Sequence, residues 1–139
     1  FFQKKKKMVH TMRISTYDEF DGTINKIVQE RKGKNIFVLL FGNESPDTGK
    51  SWCPDCVVAD PFIRKHFEEA PADSLLVEVP VGTREEYKGK PDNPYRLHPR
   101  IQLNSIPTLI KWTENAETDK RLVEGECTRD NLLSAFFSA

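Results

Sequence analysis

The sequence predicts an α/β domain: a central mixed β-sheet flanked by helices on both faces. Three observations predict it. Strand-like and helix-like apolar segments alternate through the first part of the chain, which favours parallel strands joined by helices. The run Ile36-Phe37-Val38-Leu39-Leu40-Phe41 is apolar without alternation, as suits a central strand covered on both faces. The last two strand-like segments are joined by a short turn, so they pair antiparallel.

The elements follow in order. Val9 to Ile14 reads as a short first strand. Thr16, with Glu19 in the third position after it, has the form of a capping box. Phe20, Ile24, Ile27 and Val28 then recur at helical spacing, and Gly33 is placed to end that helix. Asn35 to Phe41 is the central strand. A polar loop rich in turn residues, Gly42 to Lys50, leads to Ser51-Trp52-Cys53-Pro54-Asp55-Cys56. Pro54 suits the first turn of a helix, where its missing N–H costs nothing, and this makes Cys53 the N-cap. That helix continues through Val57, Val58, Phe62, Ile63 and Phe67, with Pro61 expected to kink it and Ala70 to Asp73 to close it.

Ser74 to Val79 is the next strand. Residues 80–100 form a long polar connection with room for one short helix within Asn93–His98. Ile106 to Trp112 is a strand with Pro107 at its opening. Thr113 to Asp119 turns, Lys120 to Glu124 pairs back, and Thr128 caps a final helix with Leu132, Leu133, Phe136 and Phe137 on its apolar face.

Composition narrows the function classes. The 139 residues suit one domain, and 37% hydrophobic against 30% charged residues is a globular balance. With 21 basic and 21 acidic residues, the zero net charge argues against nucleic-acid binding. No apolar run approaches the roughly 20 residues of a membrane span. Three cysteines, two of them close together, do not suggest a disulfide-stapled secreted domain. The expectation is a cytoplasmic protein whose Cys53 and Cys56 form a redox or metal pair. Residues 1–8, with the basic cluster Lys4 to Lys7, read as a disordered leader or an artefact of translation upstream of Met8. The domain is then 9–139.

A Cys-x-x-Cys at a helix start has a defined chemistry. The positive end of the helix dipole stabilises the first thiolate, which is the attacking species in disulfide exchange. The second cysteine, one turn on, is within reach of the resulting mixed disulfide. This assigns Cys53 as nucleophile and Cys56 as resolving residue, with no bound cofactor beyond a redox-active Cys53–Cys56 disulfide. Trp52 is expected to shield the site. Asp55 is expected to offset part of the dipole effect, giving a reductant with a modestly lowered thiol pKa. The competing readings are a zinc site, which lacks two further ligands because His10, His66 and His98 have no matching spacing, and an inert buried pair. Pro107 is either an ordinary strand-edge proline or a cis residue. Cys127 is either a partly buried cysteine or a regulatory thiol, and its neighbours Glu124 and Glu126 should raise its pKa.

These residues carry a resemblance. The cysteine pair at a strand-to-helix junction, the later Ile106-Pro107-Thr108 and the element order resemble the thioredoxin fold. Lys50-Ser51-Trp52-Cys53-Pro54-Asp55-Cys56 narrows this to the fourteen-kilodalton thioredoxin-related (thioredoxin domain-containing) family with its WCPDC site. Phe41-Gly42, Val81-Gly82, Pro107-Thr108-Leu109 and Leu122-Val123-Glu124 match as well. The resemblance spans residues 13–139. It implies a disulfide reductase of restricted range, recharged from NADPH through thioredoxin reductase. The implied substrates are small or selected disulfides such as cystine, with removal of nitrosyl or persulfide groups and support of peroxide reduction. A dynein light chain is an implied partner, and Pro107 carries over as a cis-proline facing the cysteines. The chain departs from ordinary thioredoxin in its Pro-Asp pair, its longer 42–51 loop, and the absence of a buried aspartate on Val38-Leu39-Leu40, which puts thioredoxin-like proton handling at Cys56 in doubt. A redox-switched interaction module is the alternative from another class, motivated by the loops 42–51 and 80–100.

Overall fold

Residues 8–138 are described by the computed structural model, so the leader expected at the N-terminus lies, apart from Met8, outside them. The strands are β1 (His10–Arg13), β2 (Ile36–Phe41), β3 (Leu75–Pro80), β4 (Thr108–Trp112) and β5 (Lys120–Val123). They form one sheet in the order β1-β3-β2-β4-β5. β3 runs parallel to both β1 and β2, while β4 is antiparallel to β2 and to β5. This is the mixed sheet that the sequence predicts, and β2 is its central strand with all six residues buried.

Side chains of β2 alternate between two helical layers. Phe37 packs at 4.7 Å from the ring of Phe137 and 6.2 Å from Phe67. These rings belong to α5 (Asp130–Ser138) and α2 (Pro54–Phe67), which share one face. Ile36 points to the other face and pairs in register with Trp112. Trp112 meets Phe20 of α1 (Tyr17–Glu30), and Phe20 in turn meets Tyr95 of α4 (Pro94–Leu97). Fully burying each such aromatic side chain stabilises the fold by about 1.5–3 kcal/mol. The two layers hold the N-terminus of α2 at the end of β2, where the site lies.

Several local expectations are corrected. Thr16 occupies the N-cap of α1, but its side chain makes no cap bond; the Glu19 N–H goes to the Thr16 carbonyl at 3.2 Å. The end of α2 agrees with expectation: it stops at Phe67, ahead of Ala70, with Pro61 inside it. Val58 is 55% exposed, so it lies off the buried face of α2, which Ala59, Ile63 and Phe67 supply. The connection after β3 contains two short helices. Besides α4 there is α3 (Arg84–Tyr87), started by a complete capping box of Thr83 and Glu86. Thr128 does not cap α5. Its hydroxyl donates to the Gly125 carbonyl within a 3₁₀ turn, Glu124–Thr128, and α5 begins at Asp130.

Candidate active site

β2 ends at Phe41, and the loop that follows returns to the sheet end before α2 begins. The return is stitched by backbone bonds: Ser45 N–H to Lys50 carbonyl at 2.7 Å, and Trp52 N–H to Asn43 carbonyl at 3.2 Å. Ser51 fixes the turn into the helix. Its hydroxyl donates to the Gly42 carbonyl at 2.6 Å and accepts the Cys53 N–H at 3.1 Å. Cys53 is then the N-cap residue and Pro54 opens the first turn, as the sequence predicts.

The cap is made by sulfur. Cys53 Sγ accepts the backbone N–H of Cys56 at 3.3 Å. Both cysteines are buried and both are free thiols. The hydrogen bond from the Cys56 thiol brings Cys53 down to about 7, against burial and the nearby charge of Asp55, which act to raise it. The same bond, together with burial, pushes the Cys56 thiol far up. The pair is therefore asymmetric. One sulfur is half ionised near neutral pH, and the other keeps its proton until its environment changes.

Asp55 itself is exposed, so its opposition to the thiolate is screened by water. Pro107 is buried, borders the same cavity as Cys56, and precedes β4, which starts at Thr108, two residues after the predicted Ile106. The Ile106–Pro107 peptide is cis, and the Ile106 carbonyl lies 3.9 Å from Cys53 Sγ.

Trp52 is held on three sides. Its Nε1–H donates to the Gly82 carbonyl at 2.9 Å. Its ring lies 6.2 Å from that of Tyr87, over which the Arg96 guanidinium stacks at 3.9 Å. Gly42 lies against the indole so closely that a Cβ there would be 2.6 Å from Trp52 Cε2. Gly82 adopts φ 137°, where a side chain is strained, and its N–H donates to Asn43 Oδ1. The connection after β3 is thus one wall of the site.

A cavity of about 440 Å³ opens beside Cys56, bordered by Leu39, Ile63 and Pro107. A chain of ion pairs crosses its rim. Arg13 donates to both oxygens of Glu44 at 3.1 and 2.7 Å and approaches Glu78 at 3.4 Å. Glu78 also takes Arg64 Nη1 at 2.6 Å, and Arg64 Nε reaches Asp60 at 3.2 Å. The guanidinium of Arg13 holds the Glu44 carboxyl below its ordinary range. These ties run from β1 through the long loop to α2, so the loop is anchored.

Cys127 is fully buried, and burial first, then Glu126, pushes it up to about 12. It does not join the pair. Among the described residues no group of three His, Cys, Asp or Glu side chains is placed to hold a metal ion. Ser51, Gly42, Gly82, Tyr87 and the ion-pair chain are site features that the sequence reading did not assign. Only the glycines left a local signal, since a glycine where a strand ends marks a close backbone approach.

The chain is similar to known proteins over most of its length. Residues 13–139 match the family model described as thioredoxin domain-containing protein 17-like, thioredoxin domain. The chain is 36% identical to thioredoxin domain-containing protein 17 of Mus musculus, covering 88% of this chain and 89% of that one. It is 33% identical to the Homo sapiens protein of that name over 90% of this chain and 92% of that one. It is 36% identical to the thioredoxin-like protein Clot of Arabidopsis thaliana over 73% and 79%. Among solved structures, reduced Schistosoma mansoni thioredoxin superposes with a TM-score of 0.53 at 15% identity, covering 93% of this chain and 97% of that one. The fold is that of thioredoxin.

Proposed function

Since the chain belongs to the thioredoxin domain-containing protein 17-like family of thioredoxin domains, we propose that it is a disulfide reductase of restricted substrate range. The observation that carries this reading is the capped, asymmetric pair: Cys53 lowered to about 7 and Cys56 pushed up, one helical turn apart. Cys53 thiolate attacks a substrate disulfide and forms a mixed disulfide, and one substrate thiolate leaves. The negative charge at Cys53 is then gone, so the Cys56 thiol loses the partner that held its proton. It deprotonates and attacks Cys53 Sγ, releasing the second substrate thiol and closing the Cys53–Cys56 disulfide. The Ile106 carbonyl lies beside the sulfur that substrate must approach, and Trp52 is the residue immediately before Cys53 in the chain.

The pinned Trp52 and the anchored 42–51 loop favour small or selected disulfides over large protein ones. Cystine is the proposed test substrate and thioredoxin reductase with NADPH the proposed electron source, in a reducing, cytoplasmic setting. Purified protein with both should consume NADPH on adding cystine, and Cys53→Ser should abolish it. Full activity in Cys53→Ser, or no NADPH consumption, would overturn the reading. Cys56→Ser should accumulate the mixed disulfide on Cys53.

A further inference from the structure

Once Cys53 is bound to substrate, Cys56 must give up its thiol proton inside the fold, and its surroundings oppose this. The thiol is buried, and beside it β2 presents the apolar Leu39, not a carboxylate. The carboxylates on the same cavity wall are already tied, Glu44 to Arg13, and Asp60 and Glu78 to Arg64. An uncharged group is better placed. Ser51 lines this cavity together with Cys56. Its hydroxyl is fixed from two sides, donating to the Gly42 carbonyl at 2.6 Å and accepting the Cys53 N–H at 3.1 Å. A hydroxyl has one proton to donate and two lone pairs to accept with, so one lone pair of Ser51 is left over. Burial and the bond to Cys53 raise the Cys56 thiol, whereas hydrogen bonding by the Gly42 backbone and the Ser51 side chain favours its thiolate.

We propose that Ser51 is a catalytic residue of the resolving step, its hydroxyl first accepting the Cys56 thiol and then donating to the Cys56 thiolate that attacks. The inference rests on the reading of Cys53 and Cys56 as a redox pair. In the reduced protein the Cys56 thiol donates to Cys53, and bond formation to substrate takes that acceptor away. The thiol turns to the spare lone pair of Ser51 Oγ, and its proton passes to solvent. The hydroxyl proton then swings from the Gly42 carbonyl to the Cys56 sulfur, because a charged acceptor makes the stronger bond. The Cys56 electron pair forms the bond to Cys53 Sγ and the Cys53–substrate bond breaks. The substrate thiolate leaves and takes up a proton from solvent. Cys56 is oxidised and the substrate sulfur is reduced.

The other titratable groups around the pair are Lys50 on the cavity wall, Asp55, whose charge raises Cys53, and Tyr87. The Tyr87 hydroxyl is buried without a hydrogen-bond partner among the described residues, and it feels the charge of both sulfurs. It is the competing donor.

The test follows one turnover of reduced full-length protein with excess cystine, quenched in acid and read by intact-protein mass. The cysteinyl adduct on Cys53 appears first and the oxidised protein second. Ser51→Ala should form the adduct at a little-changed rate, since the Cys53 sulfur is capped by the Cys56 N–H. At pH 7 it should lose the adduct about tenfold more slowly, the size of one hydrogen bond to a charged group. Its curve of decay rate against pH should move up by about one unit, the equivalent of tenfold, and meet that of the unmodified protein in alkali. Ser51→Thr keeps the hydroxyl and should resolve close to the unmodified rate. Should Ser51→Ala fail to fold, Ser51→Val read against Ser51→Thr makes the same comparison. Slowing of both steps alike at every pH marks Ser51 as structural and overturns the inference. So does Tyr87→Phe moving the decay curve where Ser51→Ala does not. An adduct that forms and decays equally fast in Ser51→Ala keeps the proposed function and loses this residue. Neither adduct nor oxidised protein from the unmodified chain loses both.

Discussion

Cys53 Sγ and the Cys56 backbone N are 3.3 Å apart, so the nucleophile caps the helix on the N–H of its own resolving residue before the two sulfurs ever react. The bond depends on the sulfur standing at the N-cap, and it is stronger to thiolate than to thiol.

Alkylation of Cys53 by iodoacetamide should therefore be half-maximal near pH 7. Asp55→Asn removes a charge that raises Cys53, so its profile should move to lower pH. A profile unchanged in Asp55→Asn would show that water screens the carboxylate completely.

Stability of the reduced protein should follow the same groups. Cys53 is lowered in the fold from an unfolded value of roughly 8.5. Its contribution is absent below about pH 7, grows between there and the unfolded value, and is full above it. Cys56 is shifted upward and works in the opposite sense, so its contribution is full below the unfolded value and is lost as pH rises beyond it. Urea midpoints of reduced protein should rise from pH 6.5 towards pH 8.5 relative to a Cys53→Ser control.

Reduced native protein should show one fast thiol with a chromogenic disulfide reagent at pH 7.5. Cys127, fully buried and pushed up to about 12, should react only on unfolding. Fast reaction of Cys127 would restore the regulatory reading of that residue.

Arg100 holds Asp119 through Nε and Nη2 at 2.7 and 2.8 Å and stacks at 4.0 Å over Trp112. Asp119 also accepts the Thr113 N–H at 2.8 Å. Asp119→Ala should cost about 1.5–3 kcal/mol in denaturant unfolding, because it strands half-buried donors.

Gly42→Ala places a Cβ where Trp52 already lies, 2.6 Å from Cε2. The indole must move off the Gly82 carbonyl, at a cost of about 1–3 kcal/mol, and tryptophan fluorescence should report greater exposure.

The sequence made much of this legible where information is local. The unbroken apolar run at Ile36–Phe41 predicts a doubly covered strand, and Cys53-Pro54 predicts a helix start, because burial and the missing proline N–H act within a few residues. The capping boxes show the limit of that logic. Thr16 and Glu19 have the spacing without the bond, whereas Thr83 and Glu86 form both bonds. In both cases the backbone N–H also reaches the carbonyl of the cap residue, at 3.2 Å from Glu19 and 3.0 Å from Glu86, and only at Thr83 does the hydroxyl turn to it as well. Arg13, Glu44, Arg64 and Glu78 were illegible as a group, since each is an ordinary charged residue until the sheet brings β1, the loop and α2 to one rim.

The clearance between Gly42 and Trp52 also bears on how such a site can diverge. Neither position is free to drift alone. A side chain at 42 is barred while an indole stands at 52, and a small residue at 52 leaves a gap that only a larger neighbour fills. The two should change as a linked pair across descendants of this chain, with tryptophan at one accompanied by glycine at the other. Where the indole has been replaced, the glycine loses its reason to persist.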